Sequence, residues 1–79
     1  MQYVYILRSL SDPDRYYVGT TSDLRARLAK HNAGEVSHTS KYRPWRIKTY
    51  LGLDDVEQAL AFERYLKTAS GRAFAKKRL

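Results

Sequence analysis

The feature that most constrains the fold is a pair of short extended runs joined by a proline-containing turn. Residues Gln2–Arg8 and Arg15–Thr20 are rich in tyrosine and in β-branched or aliphatic side chains, which favour strands. The segment between them contains Ser-Asp-Pro-Asp, a sequence typical of a turn. A connection this short joins antiparallel strands, so the two runs predict a β-hairpin.

Side chains alternate between the two faces of such a hairpin. Val4 and Ile6 are the more apolar pair of the first run, and we expect them to point into the core. Tyr5 then lies on the opposite face, which we expect to be more polar. Pairing across the hairpin brings Tyr17 to the same face as Tyr5.

A helix start follows the second run. Ser22 is suited to cap the helix, and the negative charge of the aspartate after it is stabilising at the positive end of the helix dipole. The pattern predicts a helix over 23–32, ended by Gly34. Arg27 and His31 are four residues apart, so they project from the same side of this helix.

Three residues near this helix have both a structural and a functional interpretation. Gly19 serves either as a permissive strand end or as a place where a ligand backbone comes close. Arg27 is either a solvated helix arginine or a bidentate contact to phosphate. His31 is either a polar helix end or a group that binds a phosphate oxygen or moves a proton near neutral pH.

The rest of the chain predicts a loop, a third strand and two helices. Residues 33–43 lack periodicity and contain three hydroxyl side chains, as loops do. The third strand is expected over 44–53, with Trp45, Ile47, Thr49 and Leu51 on one side and Arg46, Lys48 and Tyr50 on the other. The sequence therefore predicts one α+β domain over 1–79, a small three-stranded antiparallel sheet flanked by helices in the order β-β-α-β-α-α.

The second helix is expected to run from Asp54 to Ala69, capped by one of the two aspartates at its start. Ser70 and Gly71 are expected to end it, and 72–79 to form a short third helix with Phe74 packed inward. The apolar stripe of the second helix is formed by Val56, Ala59, Leu60, Phe62, Leu66 and Ala69.

Glu63 lies on the same side of the second helix as this apolar stripe. A buried carboxylate without a partner is costly. Glu63 is therefore expected at the edge of the stripe, in an ion pair, or as the ligand of a cation, and the sequence alone leaves these alternatives open.

The net charge of the chain limits the classes of partner that it is expected to bind. Lysine and arginine number 15 against 8 acidic residues, giving a formal net charge of +7. Such an excess favours nucleic acid over a membrane surface as a partner, although solubility alone also explains it. The chain has no cysteine, no long apolar run and no signal-peptide pattern, so we expect a cytoplasmic protein without disulfides.

Taken together, these residues resemble the GIY-YIG nuclease superfamily, and in particular its small stand-alone bacterial members of the UPF0213 type. Residues 3–5 (YVY) stand at the first half of the family motif, and residues 17–19 (YVG) at the second half. The helix with Arg27 and His31 is similar to the motif helix. Glu63 matches the metal-binding glutamate, and His38 matches a histidine that some members carry in the loop.

The resemblance implies a metal-dependent endonuclease that hydrolyses DNA, with low sequence specificity and a role in DNA repair or processing. It implies one Mg²⁺ or Mn²⁺ ion bound by Glu63, DNA as partner and no organic cofactor. The sequence leaves the oligomeric state open, with a monomer favoured. The implied catalytic residues are Tyr5, Tyr17, Arg27, His31 and Glu63. The implied DNA contacts are Gly19, Arg25, Lys30, His38, Lys41, Arg43, Lys67, Arg72, Lys76 and Lys77.

The chain departs from the family pattern in two places. The glycine of the first motif half is absent, and no asparagine follows Glu63, where many family nucleases carry one. An alternative interpretation is therefore a nucleic-acid-binding module that keeps the nuclease fold with weak or lost catalysis. A structural or partner-binding domain, with its charge serving only solubility, is a third interpretation.

Overall fold

Three antiparallel strands and three helices make up the structure, a computed structural model that describes all residues from 1 to 79. The elements are β1 (Gln2–Ser9), β2 (Tyr16–Thr21), α1 (Leu24–Asn32), β3 (Trp45–Leu53), α2 (Val56–Leu66) and α3 (Ala69–Arg78), with a 3₁₀ turn at Ser40–Tyr42 before β3. The order β-β-α-β-α-α and the α+β class are as the sequence predicts. None of the helices combines the length and the apolar character needed to span a membrane.

The first strand is the centre of the sheet. The strand order is β2-β1-β3, and β1 pairs antiparallel with both neighbours. Tyr5 in β1 faces Gly19 across the β1–β2 ladder and Tyr50 across the β1–β3 ladder. The hairpin predicted from the turn sequence is thus confirmed, and the third strand joins its β1 side.

Both faces of β1 are buried. Val4 and Ile6 are 1% and 5% exposed, whereas Tyr5 and Leu7 on the opposite face are 2% and 0% exposed. Tyr5 thus lies on the face opposite Val4 and Ile6, as expected, and this face is closed to solvent as well. The physical reason is that helices cover the central strand on both sides, so neither face is left to solvent.

Different helices cover the two faces of the sheet. Leu24 and Leu28 of α1 pack against the cluster that contains Tyr5, Leu7 and Trp45. On the other face, α2 supplies the fully buried Ala59 and Leu66, and α3 packs its last turns on the same cluster. The site residues of α1 and those of α2 thus approach the sheet from opposite sides.

The third strand contains a β-bulge that the sequence pattern does not reveal. Ile6 pairs with Thr49 while Leu7 pairs with Ile47, so Lys48 is an extra residue on β3. An extra residue reverses the alternation of side chains beyond it. The predicted alternation along β3 is therefore wrong after Ile47, and Tyr50 lies on the Tyr5 face, where its ring contacts Tyr3 at 6.0 Å between centroids.

The N-cap of the first helix lies one residue later than predicted, and α1 begins at Leu24. Asp23, and not Ser22, is the N-cap residue, and its carboxylate accepts a hydrogen bond from the backbone N–H of Ala26. Gly34 follows the helix with a φ of +79°, a left-handed conformation that glycine adopts at low cost. The predicted end of α1 is confirmed.

The boundary between α2 and α3 lies earlier than predicted. The helix expected to reach Ala69 ends at Leu66, and Thr68 caps α3 by accepting from the backbone N–H of Gly71. Gly71 lies inside the first turn of α3 and ends no helix. A Cβ at this position would lie 1.8 Å from the backbone oxygen of Tyr65, so glycine is needed for the close approach of the two helices.

The start of α2 and its apolar stripe agree only in part with the sequence pattern. Asp55 is the N-cap, one of the two aspartates expected there. Val56 and Leu60 are 54% and 38% exposed, so the buried stripe is narrower than the periodicity suggests. Phe74 in α3 is 38% exposed and contacts Tyr65, so it does not pack inward as expected.

Candidate active site

Four of the predicted catalytic side chains meet on the α1 side of the sheet. The rings of Tyr5 and Tyr17 lie 6.4 Å apart between centroids, and the Tyr17 and His31 rings lie 5.0 Å apart. Tyr5 comes from β1, Tyr17 from β2, and Arg27 and His31 from α1. The hairpin and the helix that follows it are thus sufficient to assemble this cluster.

Hydrogen bonds centred on Tyr5 connect the cluster. Its hydroxyl lies 2.9 Å from His31 Nε2, and it accepts a hydrogen bond from Arg27 Nε at 3.4 Å. On the other side of the imidazole, His31 Nδ1 lies 2.8 Å from the hydroxyl of Thr39. His31 is fully buried, so the interpretation of this residue as a polar helix end is wrong.

Gly19 lies beneath the Tyr5 ring. A Cβ at this position would lie 2.5 Å from the Tyr5 hydroxyl oxygen and 2.7 Å from Cζ, distances that real Cβ atoms do not reach. Gly19 is itself buried. The expectation that a DNA backbone approaches the chain at Gly19 is therefore wrong, because the aromatic ring of Tyr5 occupies this space.

Burial and Arg27 set the protonation of the cluster. Burial raises the pKa of Tyr5 above its ordinary value, so Tyr5 keeps its proton at neutral pH. The hydrogen bond to Tyr5 raises the pKa of Arg27, which stays a cation. Burial, and then the positive charge of Arg27, lower the pKa of His31, so its imidazole is neutral and has one nitrogen free to accept a hydrogen bond.

The lowered pKa of His31 predicts a loss of stability in acid. The unfolded chain takes up the His31 proton near the ordinary pKa of 6.5, whereas the folded chain does so only at lower pH. Stability is therefore complete above this value and falls as the pH decreases below it. Urea unfolding at about pH 7.5 and about pH 5.5 measures the difference.

Two variants separate this effect from general acid sensitivity. His31→Gln is expected to lose less unfolding free energy between the two pH values than the wild type loses. His38→Gln is the matched control, because the His38 side chain is exposed, and it is expected to behave as the wild type. Equal losses in all three proteins would contradict the assignment to His31.

Glu63 reaches the same region from the opposite side of the sheet. Its Oε2 accepts a hydrogen bond from Lys67 Nζ at 2.9 Å, and the Glu63 side chain is 17% exposed. The Lys67 ammonium also lies 6.0 Å from the centroid of the Tyr17 ring. Of the alternatives left open by the sequence, the structure contains the ion pair, and Lys67 connects the carboxylate to the tyrosine cluster.

The donor set around Glu63 fits a hard divalent cation that keeps most of its water. Nowhere in the chain do three or more histidine, aspartate or glutamate side chains come together as a metal cage. Mg²⁺ is commonly bound through one or two carboxylates, with waters and substrate phosphate oxygens completing the octahedron. The single carboxylate of Glu63 is therefore compatible with such an ion, provided that the Lys67 ammonium moves aside.

A basic cleft of about 590 Å³ lies on the α2–α3 side of the sheet, and Lys67, the ion-pair partner of Glu63, lines it. Its floor is apolar, with Ile6, Val18, Leu66 and Ala75 among the lining residues. Its cationic side chains are Arg15, Lys48, Lys67, Arg72 and Lys76. Tyr17 and Lys67 line the cleft as well, so the cleft leads to the tyrosine cluster.

The remaining predicted DNA contacts are exposed but lie outside this cleft. They are Arg25 and Lys30 on α1, His38, Lys41 and Arg43 in the loop, and Lys77 on α3. Their distribution over three segments gives a basic surface without a common focus. Among the ten residues predicted to contact DNA, Lys67, Arg72 and Lys76 line this cleft.

Two residues that organise the site do not stand out in the sequence. Thr39, the neighbour of the exposed His38, is 1% exposed and contacts His31. The Asn32 side chain accepts from the backbone N–H of Trp45 and donates to its carbonyl oxygen, which ties the end of α1 to the start of β3. A threonine in a hydroxyl-rich loop carries no spacing signal that links it to a helix histidine.

Comparison with known proteins gives a consistent result. The family model described as the GIY-YIG catalytic domain matches residues 1–78. A UPF0213 protein of Streptococcus pyogenes serotype M3 is 35% identical over 72 residues, which cover 90% of this chain and 76% of the relative. The structure-specific endonuclease subunit SLX1 of Candida dubliniensis is 38% identical over 73 residues, covering 84% of this chain and 26% of the relative. A homolog of SLX1 from Giardia intestinalis is 35% identical over 65 residues, covering 77% and 18%.

Proposed function

Because this chain belongs to the GIY-YIG family of nucleases, we propose that it is a metal-dependent endonuclease that hydrolyses DNA phosphodiester bonds. The observation that carries the proposal is the hydrogen-bonded group of Tyr5, His31 and Arg27 beside Tyr17. This group combines a proton donor, a neutral proton acceptor and a fixed cation. Hydrolysis of a phosphodiester needs a base for the attacking water and positive charge for the phosphate.

Activation of water requires a group that accepts a proton at neutral pH. A tyrosine with a raised pKa is a poor base by itself, because its phenolate is disfavoured. His31 is neutral, and its Nε2 lies within hydrogen-bond distance of the Tyr5 hydroxyl. Tyr5 and His31 therefore act as a pair. Tyr5 accepts the proton of the attacking water and passes its own proton to His31, so no free phenolate has to form.

Arg27 supplies positive charge next to the negative charge that develops on the phosphate oxygens during the reaction. Its Nε donates to Tyr5, which fixes the guanidinium plane and leaves the terminal nitrogens for non-bridging phosphate oxygens. A donor held in place before the reaction stabilises the transition state without a reorganisation cost. Tyr17, with its ring beside His31 and Lys67, orients the phosphate or the attacking water.

Glu63 is the residue that would hold a single Mg²⁺ or Mn²⁺ ion. Such an ion supplies Lewis-acid stabilisation of the phosphate and of the leaving oxygen when bound. Glu63 on α2 presents a carboxylate next to Lys67, whose ammonium also lies near the Tyr17 ring. Release of Lys67 from this ion pair frees a cation to contact the DNA backbone.

The basic cleft is the proposed path of the DNA backbone toward the site. Lys67, Arg72 and Lys76 line it, and their contacts with phosphate carry no sequence information. We therefore infer low sequence specificity and binding that weakens with salt. The exposed cations on α1, the loop and α3 add to this binding. A role in DNA repair or processing, as a cytoplasmic monomer, completes the proposal.

A plasmid-nicking assay tests the proposed function. Wild-type protein is expected to nick supercoiled plasmid with Mg²⁺ or Mn²⁺ and to stop when EDTA is added. Arg27→Ala, purified in parallel, is expected to nick more slowly because it lacks the phosphate-binding cation. Equal nicking by both preparations would come from a contaminating nuclease and would overturn the proposal. Salt-dependent DNA binding without nicking would favour a binding module that lacks catalysis.

A further inference from the structure

The innermost part of the site is a row of three buried polar side chains. Tyr5, His31 and Thr39 are 2%, 0% and 1% exposed. The Tyr5 hydroxyl lies 2.9 Å from His31 Nε2, and His31 Nδ1 lies 2.8 Å from the Thr39 hydroxyl. Each member comes from a different segment: β1, α1 and the loop before β3.

The direction of these hydrogen bonds follows from the outer partners. Arg27 Nε only donates, so the Tyr5 oxygen already accepts one hydrogen bond. The Tyr5 proton then needs an acceptor, and His31 Nε2 is the acceptor within reach. A neutral imidazole with a bare Nε2 carries its proton on Nδ1, which donates to the Thr39 oxygen.

The environment of Thr39 agrees with this direction. The Thr39 hydroxyl donates to the carbonyl oxygen of Val36 at 3.2 Å, so its oxygen is free to accept from His31. The Thr39 carbonyl oxygen accepts from Trp45 Nε1 at 2.8 Å. A core tryptophan therefore anchors the loop residue that faces His31.

With the opposite tautomer, the hydrogen bonds would be unbalanced. His31 Nε2–H and Arg27 Nε–H would both donate to the Tyr5 oxygen, and the Tyr5 proton would have no protein acceptor. A buried donor without an acceptor is costly. Tyr17 lies beside His31 through its ring, at 5.0 Å between centroids, whereas the two imidazole nitrogens face Tyr5 and Thr39.

We propose that Thr39 is a positioning residue that holds His31 in the Nδ1–H tautomer, which keeps His31 Nε2 free to take the proton of Tyr5. The inference rests on the proposed nuclease function.

In the hydrolysis step, an O–H bond of water breaks and its proton goes to Tyr5 Oη. The Tyr5 proton passes to His31 Nε2, the hydroxide oxygen bonds to phosphorus, and the bond from phosphorus to the leaving oxygen breaks. The leaving oxygen takes a proton from solvent, and the imidazolium later returns its extra proton to solvent through Tyr5.

The tautomer is measurable without activity. In ¹⁵N-labelled wild-type protein, NMR of the imidazole nitrogens is expected to report Nδ1–H for His31. The chain has two histidines, and His38→Gln removes the signals of the other one. An Nε2–H tautomer in the folded wild type would overturn the proposal directly, whether or not the protein cleaves DNA.

Thr39→Val tests the positioning role, because valine keeps the shape and removes the hydroxyl. The imidazole proton is expected to move to Nε2, and kcat for nicking to fall about 10- to 100-fold with KM for DNA nearly unchanged. Thr39→Ser keeps the acceptor oxygen and is expected to retain the wild-type tautomer and to restore most of kcat. Thr39→Val with the wild-type tautomer and kcat would overturn the proposal.

A double-variant comparison distinguishes the two tyrosines. Thr39→Val is expected to slow nicking further in a Tyr17→Phe background but to have little added effect in a Tyr5→Phe background. The same added loss in both backgrounds would overturn the assignment of Tyr5. An inactive wild type with the Nδ1–H tautomer would instead overturn the proposed nuclease function, so the two failures are distinguishable.

Discussion

Replacing Glu63 with glutamine is expected to lower the Mg²⁺-dependent nicking rate by at least about 10³-fold, or about 4 kcal/mol of transition-state stabilisation. Glutamine keeps the length of the side chain but loses the charge that a hard cation requires. The fold is expected to tolerate the change. The ion pair with Lys67 spans one helical turn, and Lys67 is 50% exposed, so its loss costs no more than about 0.5 kcal/mol. Single-turnover nicking and urea unfolding of the same preparation measure the two effects.

Glu57→Gln is the matched control for this prediction. Glu57 lies in the first turn of the same helix, is exposed, and makes no side-chain ion pair. Removing one negative charge there changes the net charge as much as Glu63→Gln does, but we expect wild-type nicking. If Glu63→Gln cleaved plasmid at the wild-type rate in Mg²⁺, Glu63 would not be the ligand of a catalytic ion.

The parts of the site that local rules govern could be predicted from the sequence. The hairpin follows from two strand-forming runs and a turn, and its pairing brings Tyr5 and Tyr17 to one face. Helical periodicity places Arg27 and His31 on the same side of α1. These predictions hold because each depends on residues close in sequence, so no distant part of the chain changes their outcome.

The parts that depend on distant contacts could not be predicted in this way. The bulge at Lys48 reverses the faces of β3, and nothing in its alternating sequence marks an extra residue. The burial of Tyr5 depends on α1 covering its face, and the contact of Thr39 with His31 depends on Trp45 anchoring the loop. Each is decided by packing between segments, which composition and spacing do not encode.

Gly71 shows the same limit for glycine. A glycine after a helical pattern usually ends the helix, so Ser70 and Gly71 predict a helix end. The structure instead uses Gly71 inside α3, where the backbone oxygen of Tyr65 leaves no room for a Cβ. The sequence rule for glycine shows that position 71 has a structural role. The role itself, the close approach of the Tyr65 backbone, is visible only in the structure.

Gly19→Ala is expected to reduce both stability and nicking, because its neighbour is the Tyr5 ring. The new methyl carbon would lie 2.5 Å from the Tyr5 hydroxyl oxygen, and the ring cannot turn away without leaving His31 and Arg27. Overpacking of this kind costs about 1–3 kcal/mol of unfolding free energy. A shift of about 1 Å in a catalytic group costs about 10²-fold or more in rate. Urea unfolding and single-turnover nicking measure the two losses.

Gly52→Ala is the matched control for Gly19→Ala, because its nearest neighbour lies at the same distance but is flexible. A Cβ at Gly52 would also lie 2.5 Å from its nearest atom, but that atom is the sulfur of Met1, a flexible side chain that is 72% exposed. We therefore expect Gly52→Ala to leave stability and nicking nearly unchanged. In Gly19→Ala combined with Tyr5→Phe, the clash with the hydroxyl is gone, so part of the stability is expected to return while nicking stays low. Full activity of Gly19→Ala would mean that the hydrogen bonds of Tyr5 do not need the geometry that Gly19 permits.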